Sequence, residues 1–136
     1  MSTISVYLSF NGNCREAMTF YQRCLGGELF FQTLGEHPNA EKMPDRMKAC
    51  ILHGTLTRNG LVIMGSDMLG EEGLKKGNAV SLMLHCDSET EMKECYQKLS
   101  LGGAQTYPIA QSFWGTLFGD LTDKFGNQWL LHYRKN

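Results

Sequence analysis

Phe113-Trp-Gly-Thr-Leu-Phe-Gly-Asp-Leu-Thr-Asp-Lys-Phe-Gly-Asn-Gln-Trp-Leu-Leu-His-Tyr-Arg134 reads as a β-hairpin. An extended run over 113–121 meets a turn of Thr122, Asp123, Lys124, Phe125 and Gly126, and a run dense in aromatic and aliphatic residues follows over 127–134. Gly126 suits the turn because it takes positive φ without a Cβ clash, and Asp123 can bond its own backbone two residues on. Both tryptophans, Trp114 and Trp129, lie in this stretch. Each brings large apolar area and an N–H that needs a partner when buried, so a core or pocket wall is expected around the hairpin.

Working outward, the preceding residues supply the other half of a module. Ala79–Cys86 reads as a strand, Ser88 as a helix cap with Glu91 three residues on, and Met92, Cys95 or Tyr96, and Leu99 as the helix's apolar face. Strands over 104–110, 113–121 and 127–134 complete a β-α-β-β-β order. The first half reads the same way. A strand over 4–10 leads through Asn11-Gly12 to Asn13, expected to cap a helix over 14–25 with Glu16 returning the bond. That helix would bury Met18, Tyr21 and Leu25. Strands over 28–34, 47–57 and 61–64 follow, the last two joined by Arg58-Asn59-Gly60, where Asn-Gly is a strong hairpin signal. Tyr21-Gln22-Arg23 is echoed by Tyr96-Gln97-Lys98 and Leu25-Gly26-Gly27 by Leu101-Gly102-Gly103, at separations of 75 and 76 residues.

The chain is therefore read as one α+β domain, 1–136, of two βαβββ modules, 1–65 and 79–136, joined by a linker over 66–78. Each module is too small to bury its sheet face alone, so the two are expected to share a core, their mixed sheets curled around a central cleft. The loop 35–46 and the linker 66–78, both polar and glycine-bearing, read equally as lids over the cleft or as inert connections. Sheet edges make a homodimer the expected assembly, with modules exchanged between chains as one form.

Composition narrows the function class. With 42% hydrophobic and 20% charged residues the chain is globular, and a net charge of −1 gives no basic stripe for nucleic acid. No apolar stretch approaches the roughly 20 residues of a membrane helix, and Met1–Ser5 lacks a cationic leader. Five cysteines (14, 24, 50, 86, 95) with no Cys-x-x-Cys pair favour reduced thiols in a cytoplasmic protein. No Gly-x-Ser-x-Gly elbow, P-loop or His-Glu-x-x-His occurs.

Tyr7-Leu-Ser-Phe-Asn-Gly-Asn-Cys14, Phe20-Tyr21, Leu25-Gly-Gly-Glu-Leu29, Ile63-Met-Gly-Ser-Asp67, Phe113-Trp-Gly115 and Phe118-Gly-Asp-Leu-Thr-Asp-Lys-Phe-Gly126 with Trp129 carry a resemblance. They are similar to the PhnB-like branch of the vicinal oxygen chelate superfamily, the glyoxalase and bleomycin-resistance proteins. Members are often labelled demethylubiquinone methyltransferases. No Gly-x-Gly-x-Gly loop follows a strand here as a methyl-donor site would want. The resemblance implies a divalent cation held by side chains of the opening and closing strands. Aligned by counting from Phe20-Tyr21, Ser88, Asp123 and Gly126, those positions fall on Val6, Ser81 and Leu130, a poor ligand set. No metal and no cofactor is therefore expected.

His85 and His132 share strand parity with Ser81 and Leu130 but are displaced by roughly 13 and 7 Å at about 3.3 Å per residue. They are read as rim histidines, His53 as the same kind, and His37 as a solvated loop residue. Cys14 is read as a helix-packing thiol, and is the one cysteine to examine for reactivity, being near a helix N-terminus. Asp67, or Asp123 with Lys124, could serve a polar ligand as base and cation, or act as turn caps and an exposed ion pair. Met64, Met83, Trp114, Phe118 and Trp129 could line an aromatic and thioether pocket or pack in the core. The favoured function is metal-independent binding of a small organic ligand by Ser81, Met83, Trp114, Phe118, Gln128 and His132. The competing readings are a metal-dependent glyoxalase- or dioxygenase-type enzyme, a protein that modifies or sequesters an antibiotic, and a dimeric module with a closed cleft.

Overall fold

The computed structural model describes residues 2–68, 73–112 and 115–135. It divides into two compact units, Met1–Lys75 and Lys76–Asn136. The first contains β1 (Val6–Phe10), α1 (Cys14–Leu25), β2 (Glu28–Thr33), a short α2 (Asp45–Lys48), β3 (Ile51–Arg58) and β4 (Leu61–Asp67). The second contains β5 (Leu82–His85), α3 (Glu89–Ser100), β6 (Ala104–Gln111), β7 (Thr116–Thr122) and β8 (Gln128–Arg134). The sheets have matching orders, β1-β4-β3-β2 and β5-β8-β7-β6, each with one parallel pair at the first strand and antiparallel pairs elsewhere. This α+β architecture of two mixed four-stranded sheets repeats the βαβββ order read from the sequence.

The equivalence of the units extends to a close approach of backbones. A Cβ on Gly27 would lie 2.5 Å from the Thr57 carbonyl oxygen, and one on Gly103 would lie 2.1 Å from that of Thr122. Thr57 is near the end of β3 and Thr122 ends β7, the corresponding strands. Both helix-to-strand connections thus pass so near the third strand that no side chain fits.

In the second unit, α3 covers one face of its sheet. Met92, Cys95, Tyr96 and Leu99 are buried with Leu82, Leu117, Leu121, Trp129 and Leu131, the inward positions of alternating strands. Ser88 caps α3 as expected, its hydroxyl accepting from Glu91 N at 3.0 Å. The hairpin turn is held by one carboxylate. Asp123 Oδ1 accepts from Phe125 N at 2.9 Å and Asn127 N at 3.0 Å, while Oδ2 accepts from the indole N–H of Trp129 at 2.8 Å. Asp123 and Trp129 are each 2% exposed. Asp123 is therefore a structural acid, and Lys124 lies over the Phe125 ring, 5.4 Å from its centroid.

The first unit departs from the sequence reading in instructive ways. Asn13 precedes α1 but its side chain makes no cap bond. Asp67, at the end of β4, does that work from 53 residues away: Oδ1 accepts from Cys14 N and Oδ2 from Ile51 N, both at 2.9 Å. Negative charge at the helix N-terminus is favourable there, and the same carboxylate ties in the start of β3. Asp67 is thus a tertiary cap, and Ser66 and Asp67 belong to β4 rather than the linker. The 35–46 loop also differs: Leu34–Glu36 and Ala40–Lys42 are 3₁₀ turns, and α2 takes Met47 and Lys48 out of the expected strand, so β3 starts at Ile51. The opening strand of the second module is shorter than expected, Leu82–His85.

Cys14 is a packing thiol and not a reactive one. Its side chain is fully buried, and burial, followed by the nearby Asp67 charge, pushes the thiol up from 9.0 to about 12. Burial first, then Cys95, Glu91 and Asp87, raises Cys86 likewise to about 12. Two outcomes are expected. A water-soluble disulfide reagent at neutral pH should modify the half-buried Cys50 while Cys14 and Cys86 stay protected until the chain unfolds; labelling of Cys14 in the native state would contradict its burial. As pH rises above about 9 the unfolded chain ionises these thiols first, so their contribution to stability is intact below that pH and lost between about 9 and about 12. Separately, Asp123→Ala removes the acceptor of three N–H groups, and urea unfolding should show a loss of about 4 kcal/mol. A loss under about 1 kcal/mol would show that the turn does not depend on it.

Candidate functional site

Strand register decides which side chains meet on the face of the second sheet turned away from α3. In the parallel β5–β8 pair Met83 faces Leu130 and His85 faces His132. In the antiparallel β7–β8 pair Phe118 faces His132, Asp120 faces Leu130 and Thr122 faces Gln128. Alternation puts all of these on one face, opposite the buried Leu82, Trp129, Leu131 and Leu121. The rungs run His85–His132–Phe118, then Met83–Leu130–Asp120, then Gln128–Thr122.

The first rung is a tight cluster. The Nδ1 atoms of His85 and His132 are 3.3 Å apart, with ring centroids separated by 5.3 Å and planes at 84°. The Phe118 ring lies 4.8 Å from that of His132. Met83 and Phe118 are left 44% and 36% exposed beside these polar groups. Of the residues expected in a ligand pocket, Met83, Phe118, Gln128 and His132 therefore share this face. Ser81 stands one residue before β5, exposed, with the same parity as Met83 and His85. Trp114 lies outside the described residues. Trp129 is not available to such a pocket: it is on the opposite, helix-covered face with its N–H committed to Asp123.

The rim of this face is shaped by β6. Its pairing with β7 slips between Ala104 and Tyr107 and again between Tyr107 and Ala110, and Pro108 sits within this edge strand. Tyr96 of α3 anchors the irregular stretch. Its hydroxyl lies 2.9 Å from the Tyr107 carbonyl oxygen and 3.0 Å from that of Asp120, with donation to these acceptors, and burial raises its pKa, aided by the Asp120 charge. Thr106 Oγ1 donates to Asp120 Oδ1 at 3.2 Å. Sequence reasoning did not single out Tyr96 or Asp120 for this role; an aromatic in a helix's apolar face gives no sign of where its hydroxyl ends.

The first sheet has its own helix-free face. Tyr7 pairs with Met64, Met64 with Thr55, and Thr55 with Phe30, so these four share a rung. His53 lies on this face, its Nε2 3.0 Å from Thr55 Oγ1 and its ring 6.1 Å from Tyr7. His37 stays on the surface, its Nδ1 accepting from Asn39 N at 3.2 Å. Met64 is thus in the first unit, on a rung with Tyr7, while Met83 and Phe118 are on the helix-free face of the second.

The residues at the superfamily's expected cation positions do not fit a metal. Val6 pairs with the buried Ile63, which pairs with the buried Leu56, so Val6 has the parity of the helix-covered side; Tyr7 has the parity of the other face. The Asn11–Asn13 turn separates β1 from α1, so spacing from Phe20 does not carry strand parity into β1. Ser81 offers one hydroxyl and Leu130 none. Among the described residues no group of three or more His, Cys, Asp or Glu side chains converges as a ligand set. No described helix is long and apolar enough to cross a membrane.

With this geometry in hand, comparison places the chain among known proteins. The profile of the family described as 3-demethylubiquinone-9 3-methyltransferase matches residues 2–132. Protein YjdN of Escherichia coli strain K12 is 33% identical over 145 residues, covering 97% of this chain and 95% of that protein. Protein PA1353 from Pseudomonas aeruginosa superposes with a TM-score of 0.87 at 32% identity over 100% of both chains. The PhnB protein from Bacillus cereus does so with a TM-score of 0.77 at 28% identity, over 97% of this chain and 99% of that one. The fold is shared, at 12% identity and a TM-score of 0.68, with a glyoxalase/bleomycin resistance protein/dioxygenase family enzyme from Burkholderia phytofirmans. The chain belongs to the family described as 3-demethylubiquinone-9 3-methyltransferase, and its fold is one shared with glyoxalase/bleomycin-resistance proteins.

Proposed function

We propose that this protein binds a small organic molecule on the helix-free face of its second sheet, without the superfamily's cation. The observation that supports it is the His85–His132–Phe118 rung beside Met83 and Leu130. There, Met83 and Phe118 remain exposed at 44% and 36% next to imidazole groups, with the Gln128 amide two rungs from the histidines. Ordinary ligand sites combine such apolar walls with a few polar groups that fix orientation. Phe118 and Met83 would supply contact area, Gln128 and His132 hydrogen bonds, and Ser81 a hydroxyl at the margin. A homodimer is proposed as the assembly, since β2 and β6 leave sheet edges to be covered.

Methyl transfer, which the family's description names, finds no support in the strand-to-helix turns. A nucleoside-bearing methyl donor would sit against a glycine-rich strand-to-helix turn, and no Gly-x-Gly-x-Gly run follows a strand here. The first N–H of α1 already bonds the Asp67 carboxylate, and the Ser88 hydroxyl takes the Glu91 N–H of α3.

The test is a screen of small aromatic acids, phenols and amides by thermal shift, with EDTA present throughout. A hit should bind saturably. Phe118→Ala should weaken it roughly tenfold, about 1.4 kcal/mol for lost apolar contact, whereas Lys98→Ala on α3 leaves it unchanged. Binding indifferent to Phe118→Ala, or abolished by EDTA, would overturn the proposal.

A further inference from the structure

Asp120 is the only acidic residue in β5, β6, β7 and β8, and it stands among apolar side chains. On β8 it faces Leu130, with Met83 beyond on β5. On β6 it is paired with Tyr107, whose side chain is 69% exposed, and cross-strand partners share a face. Phe118 precedes Asp120 by two residues and so lies on the same side of β7.

The carboxylate is positioned without being saturated. Thr106 Oγ1 donates to Oδ1 at 3.2 Å, and among the described residues no donor reaches Oδ2. The Tyr96 hydroxyl, 2.9 and 3.0 Å from the Tyr107 and Asp120 carbonyl oxygens, ties the two backbones together at this pair. The only Lys or Arg in the four strands is Arg134, four residues along β8 from Leu130. That is roughly 13 Å at about 3.3 Å per residue, beyond the screening length of about 8 Å at physiological ionic strength. Asp120 therefore keeps its negative charge uncompensated on a half-buried face, where attraction is stronger than in open water.

We infer that the molecule taken up on this face is an organic ammonium ion, a protonated amine or quaternary ammonium with an aryl or alkyl body. The inference rests on the small-molecule reading of the same face and adds the sign of the ligand's charge. The cationic centre pairs with Asp120 Oδ2, the aromatic rings of Tyr107 and Phe118 attract it through their negative faces, and the body lies on Leu130 and Met83. A hard inorganic cation is a poor fit, because it wants about six oxygen ligands and this carboxylate has hydrocarbon and thioether neighbours.

The experiment is chemical-shift titration of the full chain, in EDTA, with four probes of similar body: phenethylamine, phenethyltrimethylammonium, phenethyl alcohol and phenylacetate. The two cations should bind saturably and roughly tenfold more tightly than the alcohol, with phenylacetate weakest. Added sodium chloride should erode the affinity of the cations and not that of the alcohol. Asp120→Asn, which keeps an acceptor for Thr106, should bring amine and alcohol to within about twofold, with a thermal melt matching the parent. Tyr107→Leu should weaken phenethyltrimethylammonium more than the alcohol. Alcohol or phenylacetate perturbing these strands as strongly as the amine would overturn the inference while leaving the small-molecule reading in place. So would a preference for the amine that persists in Asp120→Asn or ignores salt. Silence of these strands to all four probes would overturn the inference together with the reading beneath it.

Discussion

The Asp123 carboxylate holds the closing hairpin together, and the face that carries the candidate site depends on it. By accepting from two turn amides and from the buried indole of Trp129, it locks the 123–127 turn and the start of β8 in one arrangement. That arrangement sets the β7–β8 register, and the register places Phe118 beside His132 and Asp120 beside Leu130. Because side chains alternate along a strand, a slip of one residue would turn His132 toward α3 and Leu131 away from it. The first unit uses a similar device, with Asp67 joining the start of α1 to the start of β3. Both acids satisfy backbone donors that would otherwise be costly to bury, so neither is free to act as a base toward a ligand.

Much of the architecture is legible in the sequence because it rests on local signals. The hairpin turn, the Ser88 cap, the apolar faces of α1 and α3 and the 75- and 76-residue echoes between helices are short-range patterns, and the paired modules follow from them. What escaped local reading is tertiary. Asn13 has the chemistry of a cap, yet a carboxylate 53 residues away takes the helix's first amide. The 35–46 segment is rich in turn residues and reads as loop, but winds into 3₁₀ turns and a single short α-helix. Val6 precedes the Asn11–Asn13 turn, across which strand parity does not carry, and only the pairing with Ile63 shows that it has the parity of the helix-covered side.

For the candidate site, parity along β5 groups Met83 with His85, and parity along β8 groups Gln128 with His132. Their lateral pairing requires the register, because sequence alone does not say which residue of β5 faces which residue of β8. That is why the histidines read as separate rim residues in sequence and as one pair in the structure, with nitrogens 3.3 Å apart. Trp129 shows the reverse: its aromatic character suggests a pocket wall, and its indole N–H instead completes the Asp123 network in the core.

The account's central claim is that the helix-free face of the second sheet is the functional surface. Backbone amide chemical-shift mapping of the isotopically labelled protein tests it most directly, using a bound fragment in the presence of EDTA. The account predicts that perturbations concentrate at residues 83–85, 118–120 and 128–132, with α3 and the Asp123 turn little changed. Perturbations centred on α1, α3 or the 35–48 segment, with those strands silent, would contradict it.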